Sequence, residues 1–175
     1  MKIKVNILDP KSIDKAIAEV NKEQSRLKGI SREILQQLVD DGVEYAKAMC
    51  PLDSGETYDS IHGYITEDGK GMIVAGGNAV WVEFGTGVKG ADSPYPGEAS
   101  VMSGATPYNG YMSGEHIIET KDGRIGWFYP VSNGDKTEYR FTEGMPSRPF
   151  MWETAHHLRA IAPEVVKVTL GKMMR

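Results

Sequence analysis

The sequence predicts an α+β domain: a mixed or antiparallel sheet packed against a long helix and a C-terminal helix, with one long projecting loop. Three observations carry this. Apolar residues recur at helical spacing from Ile34 to Met49, strand-like runs flank glycine-containing turns at 67–71 and 121–123, and a helical pattern returns from Phe150 to Val168. With 175 residues, the chain 1–175 reads as a single domain, long enough to bury a core without a disulfide or a metal.

Residues 2–8 alternate like a strand, and Asp9 or Ser12 is placed to cap a helix from Ile13 to Leu27 that Gly29 ends. The main helix is expected to start at Ser31 as N-cap. Ile34, Leu35, Leu38, Val39, Tyr45, Ala46 and Met49 form its buried face, and Pro51 stops it. Gly42 lies inside this pattern, where it costs up to about 1 kcal/mol relative to Ala, and the expectation is close packing at that point.

Ser60–Thr66 and Met72–Ala75 read as a hairpin closed by Glu67-Asp68-Gly69-Lys70-Gly71. His116–Thr120 and Arg124–Tyr129 form a second, around the Asp122-Gly123 turn. Between them, residues 88–114 are rich in Gly, Ser, Pro and Tyr and poor in aliphatic residues. A loop of that length in a compact domain is functional or disordered; Tyr95, Tyr108 and Tyr111 suit an assembly surface that orders on contact. After Pro149 the helical pattern meets Pro163, where the helix is expected to kink or restart.

The densest signal is Ala79-Val80-Trp81-Val82-Glu83-Phe84-Gly85-Thr86-Gly87, an apolar run carrying one acid and leading into a Gly-Thr-Gly turn. It suits a buried strand or a tightly packed segment. If extended, it puts Glu83 on the face of Trp81. A half-buried carboxylate needs a partner, and Arg148 is the first candidate, Arg140 the second; the bland alternative is a solvent-facing edge position.

Composition excludes several classes. The formal net charge of −4 argues against a surface that grips phosphate backbones, although an acidic lining would let DNA pass without sticking. No apolar run approaches the ~20 residues of a membrane span, and Met1–Leu8 lacks the apolar stretch and cleavage site of a signal peptide, so synthesis in a cytoplasm is expected. The single Cys50 reads as a small core or helix-end residue. His62, His116, His156 and His157 show no metal-ligand spacing: adjacent His156 and His157 point about 100° apart on a helix. No nucleophile elbow, phosphate loop or dinucleotide fingerprint occurs. No catalytic, cofactor-binding or metal-binding residue is assigned, and no cofactor is expected.

Taken in order, the helix ending at Pro51, the turn at Gly55, the strand start at Ser60-Ile61, the segment Glu83-Phe84-Gly85-Thr86-Gly87 and the lead Gly144-Met145-Pro146-Ser147-Arg148-Pro149-Phe150 resemble the gene-product-ten-like family of siphophage neck and tail-completion proteins. The resemblance covers roughly residues 30 to 160. It implies a non-enzymatic virion structural protein at the head-tail junction, assembled as a ring of six copies between head connector or stopper and tail tube or terminator. It also implies assembly in the bacterial cytoplasm and DNA passing nearby without specific binding. The alternatives are a small hydrolase using Glu83 or His62, and a DNA-packaging accessory protein.

Overall fold

A computed structural model describes residues 9–53, 55–93, 95–97, 117–133 and 136–173. The strand expected at 2–8, and Tyr108, Tyr111 and His116, lie outside them. The class is α+β, as expected.

Helix α1 spans Pro10–Met49, 40 residues without interruption. Asp9 caps it by accepting from the Lys11 amide at 3.1 Å, and Pro10, which has no amide hydrogen to leave unpaired, occupies the first turn. The expected break at Gly29 and new start at Ser31 do not occur. A lone glycine costs about 1 kcal/mol, less than ending one helix and nucleating another, and nothing crowds Gly29. At Gly42 the expected close packing is present, since a Cβ there would collide with Ile73 and Leu158. Gly63 and Gly71 are crowded in the same way by Val39, so α1 lies close over the hairpin that carries them.

A short helix α2 (Glu56–Ser60) leads into that hairpin, β1 (His62–Ile65) and β2 (Gly71–Val74), paired antiparallel with His62 opposite Val74 and Ile65 opposite Gly71. Where a strand or packed segment was expected, Ala79–Phe84 forms a short helix, α3, followed after Gly85-Thr86 by α4 (Gly87–Asp92). Three strands follow: β3 (Ile118–Glu119), β4 (Ile125–Asn133) and β5 (Lys136–Thr142), antiparallel in the order β3-β4-β5. The Asp122-Gly123 turn closes β3 on β4 as predicted. Strand β5 was not anticipated, and it puts Arg140 opposite Tyr129 in a sheet rather than near the last helix. The strands therefore divide into two sheets, of which the β1–β2 hairpin is the one that packs on α1.

The two-residue β6 (Gly144–Met145) leads to α5 (Phe150–Met173). The restart considered at Pro163 does not occur: α5 is continuous through it. Pro163 and Arg159, whose carbonyl it leaves without a helical donor, are both exposed, so water can satisfy that oxygen. Helix α5 runs antiparallel to α1: the Tyr45 ring stacks on His157 at 4.0 Å and Thr169 donates to Gln37 at 3.1 Å. The core gathers where the end of α1 meets the hairpin, α3 and the start of α5, around Ala46, Cys50, Ile61, Ala79 and Phe150. Cys50 is 5 % exposed and burial pushes its thiol pKa up, which suits a packing residue.

Candidate functional site

The two sequence clusters that stand about sixty residues apart meet in one joint. Its centre is Glu83, 6 % exposed at the end of α3. One carboxylate oxygen accepts from the Met151 amide and the other from the Trp152 amide, each at 2.9 Å. These are first-turn amides of α5, which have no partner within their own helix, and the negative charge also meets the positive end of the helix dipole. The residue before α5 is Pro149, which has no side-chain acceptor for those amides. Glu83 supplies the missing cap from 68 residues away in sequence.

The expected ion pair between Glu83 and Arg148 is not formed. Arg148 is exposed, and what it contributes is its backbone amide, donating to the Val82 carbonyl at 2.8 Å. Arg140, the second candidate, is exposed on β5. The prediction that the two clusters are tied together is met by different chemistry. Nor does Glu83 share a face with Trp81, because α3 is helical and residues two apart on a helix diverge.

Backbone contacts complete the joint. Ser147 donates its hydroxyl to the Glu83 carbonyl at 2.7 Å, the Met145 amide donates to Thr86 Oγ1 at 3.2 Å, and Thr86-Gly87 pairs antiparallel with Gly144-Met145. Glycine is required at these crossings. Gly85 has φ 75° and a Cβ there would sit 2.6 Å from the Ser147 nitrogen. At Gly87 (φ 62°) a Cβ would strike the Glu143 carbonyl.

Burial pushes the Glu83 carboxyl above its ordinary value, an effect that the two amide bonds oppose and the nearby Glu153 charge reinforces. Beside it, Tyr95 packs on Phe84 with ring centroids 4.6 Å apart, and its hydroxyl is also pushed up, by burial and then by the Glu83 charge. Tyr95 is thus part of the joint and not of a projecting loop: residues 87–92 are helical and Tyr95–Gly97 fold back beside α3. A cavity of about 800 Å³ opens here, lined among others by Val80, Glu83, Phe84, Tyr95, Trp152 and His156.

The remaining sequence candidates lie elsewhere. Pro51 follows α1, and Gly55 (φ 86°) precedes α2. Ser60 Oγ donates to Thr57 O at 2.6 Å and accepts from the Gly76 amide at 2.9 Å, tying α2 to the exit of the hairpin. Pro146 and Pro149 are half-buried, and Phe150, 2 % exposed, anchors α5 in the core. His62 is exposed on β1, its Nδ1 2.8 Å from the Ser60 carbonyl. His156 and His157 diverge as expected, one against Trp152 and the other against Tyr45. Among the described residues no group of three or more His, Cys, Asp or Glu side chains is placed to hold a metal, and no helix is long and apolar enough to cross a membrane.

Sequence reasoning missed Ser147 and the two amides of α5. The available signal was the proline at the N-cap position, which announces a helix needing an acceptor from elsewhere. Comparison with family models, curated proteins and solved structures returned no match for this chain.

Proposed function

We propose that the protein is a non-enzymatic structural component of a phage virion, acting at the junction of head and tail as one subunit of a ring of six. The observation that supports this most is that the residues carrying the family resemblance, Glu83–Gly87 and Gly144–Phe150, are those that dock on one another. Their order in sequence has a structural purpose, and that purpose is to hold a helix start. Its neighbours would be the head connector or stopper and the tail tube or terminator. The net charge of −4 suits a wall that DNA passes without adhering.

The hydrolase alternative gains little from the geometry. Each oxygen of Glu83 already accepts from a backbone amide, so the carboxylate is engaged in capping α5, and taking a proton from water would compete with that role. The DNA-packaging alternative has the net charge against it.

Disrupting the gene in the phage or prophage that carries it tests the reading. Filled heads and separate tails that do not join, rescued by adding the purified protein, are the expected result. Intact virions lacking the protein would overturn it.

A further inference from the structure

The N-terminal half of α1 is a helix with an uncovered apolar seam. Ile17 and Val20 are each 53 % exposed, Leu27 is 59 % exposed and Ile13 38 %. Ile13, Ile17, Val20, Gln24 and Leu27 alternate in steps of four and three, the spacing of a seam between two helices. Continued along the helix, the same spacing passes the exposed Ser31, then Ile34, Leu38 and the exposed Asp41, and arrives at Tyr45, which stacks on His157 of α5. The exposed seam is therefore the extension of the α1–α5 interface. Thr169 lies beside Gln37, so α5, ending at Met173, stops level with about Glu33 of α1. Beyond it Ile30 is still buried, but the seam from Ile13 to Leu27, roughly 20 Å of α1, is bare.

We propose that a second copy of this chain covers the seam, through the same stretch of its own α1 laid antiparallel, with Ile17 opposite Leu27 of the second copy and Val20 opposite its Gln24. Three features favour this occupant and this register. The two uncovered stretches are equal in length, so each covers the other fully. Asp14 of each copy falls beside Lys28 of the other, and where Glu23 meets its counterpart at the two-fold axis, each is held by Arg26 of its own helix at 3.3 Å. Pro10 of the second copy comes level with Ile34, where α5 ends, so the incoming helix continues the line of α5 and sets its positive end against the negative end of α5. A parallel pair would instead drive each α1 into the α5 of the other copy. The contact is two-fold and closes on itself. It goes beyond the head-tail reading as a contact of the free protein, one that must open before copies join a polar ring through heterologous contacts, and it leaves the Glu83 joint untouched.

Sedimentation of the purified protein should show twice the monomer mass. Ile17→Asp with Val20→Asp should weaken association at least ~100-fold by placing two charges in the seam, without moving the thermal midpoint of the monomer. Orientation is read from disulfide capture, since the native Cys50 is buried. Ile17→Cys and Leu27→Cys proteins co-expressed and oxidised should cross-link to each other, while each alone should not. Cross-linking of each variant with itself, a monomeric wild type, or a larger oligomer indifferent to the two Asp substitutions would overturn the proposal.

Discussion

The joint around Glu83 and the first half of α1 are ordered in opposite ways. In the joint, the short helix α3, the turn after it and the start of α5 are fixed beside the core residues Ala79 and Phe150 by hydrogen bonds that cross 59 to 69 residues of sequence. In the first half of α1, order is entirely local: each turn supports the next, and the side chains that would normally be buried face outward. The difference teaches where substitution should hurt. Removing an acceptor in the joint strands donors that water reaches poorly, whereas the same deletion on the free helix removes almost no contact.

The largest contrast is expected between Glu83→Ala and Ile17→Ala. The first leaves the Met151 and Trp152 amides without acceptors and should cost about 2 to 4 kcal/mol in denaturant unfolding, with hydrogen bonds to a charged group at the upper end of the scale. The second, measured on the monomer, should stay within about 0.5 kcal/mol. Comparable losses would erase the distinction between the two regions.

Glycine gives the next contrast, because the sign of the effect should reverse. Gly85→Ala places a Cβ against the Ser147 backbone at positive φ and should destabilise by about 1 to 3 kcal/mol. Gly29→Ala meets nothing within 4 Å in an ordinary helical position and should stabilise by up to about 1 kcal/mol. Thermal midpoints of the two variants measure both.

These two regions also show what the sequence disclosed. Both hairpins, the C-terminal helix and the close approach at Gly42 were legible because periodicity, Asp-Gly turns and helix spacing are local codes. Gly29 and Pro163 misled for the same reason: each has a poor local propensity that the surrounding helix overrides. The apolar run at 79–84 could not be assigned by pattern, since six residues fit a buried strand or a short helix equally. The docking of the two clusters was foreseen. Its agent was mistaken, because a search for an opposite charge overlooks backbone amides, which carry no signature in the side-chain alphabet.

Smaller effects sharpen the chemistry of the joint. Arg148→Met should change stability by under about 0.5 kcal/mol, and a double-mutant cycle with Glu83→Gln should give a coupling indistinguishable from zero, since the guanidinium is exposed and unpaired with Glu83. The pH dependence follows from burial. The folded pKa of Glu83 lies above its unfolded value, so the folded state holds an extra proton between the two. The associated stability is fully present below the ordinary glutamate value and is lost as pH rises through the raised one. The stability of wild type relative to Glu83→Gln should therefore be greater in acid than at neutral pH. A difference that grows toward neutral pH would mean that the amide bonds outweigh burial.

Native-state hydrogen exchange at Met151 and Trp152 tests the capping role of Glu83 most directly. Both amides should be protected in the wild type, exchange at least ~10-fold faster in Glu83→Ala than the global loss of stability accounts for, and be unaffected by Arg148→Met. Unchanged protection in Glu83→Ala, or selective loss of it in Arg148→Met, would contradict the account.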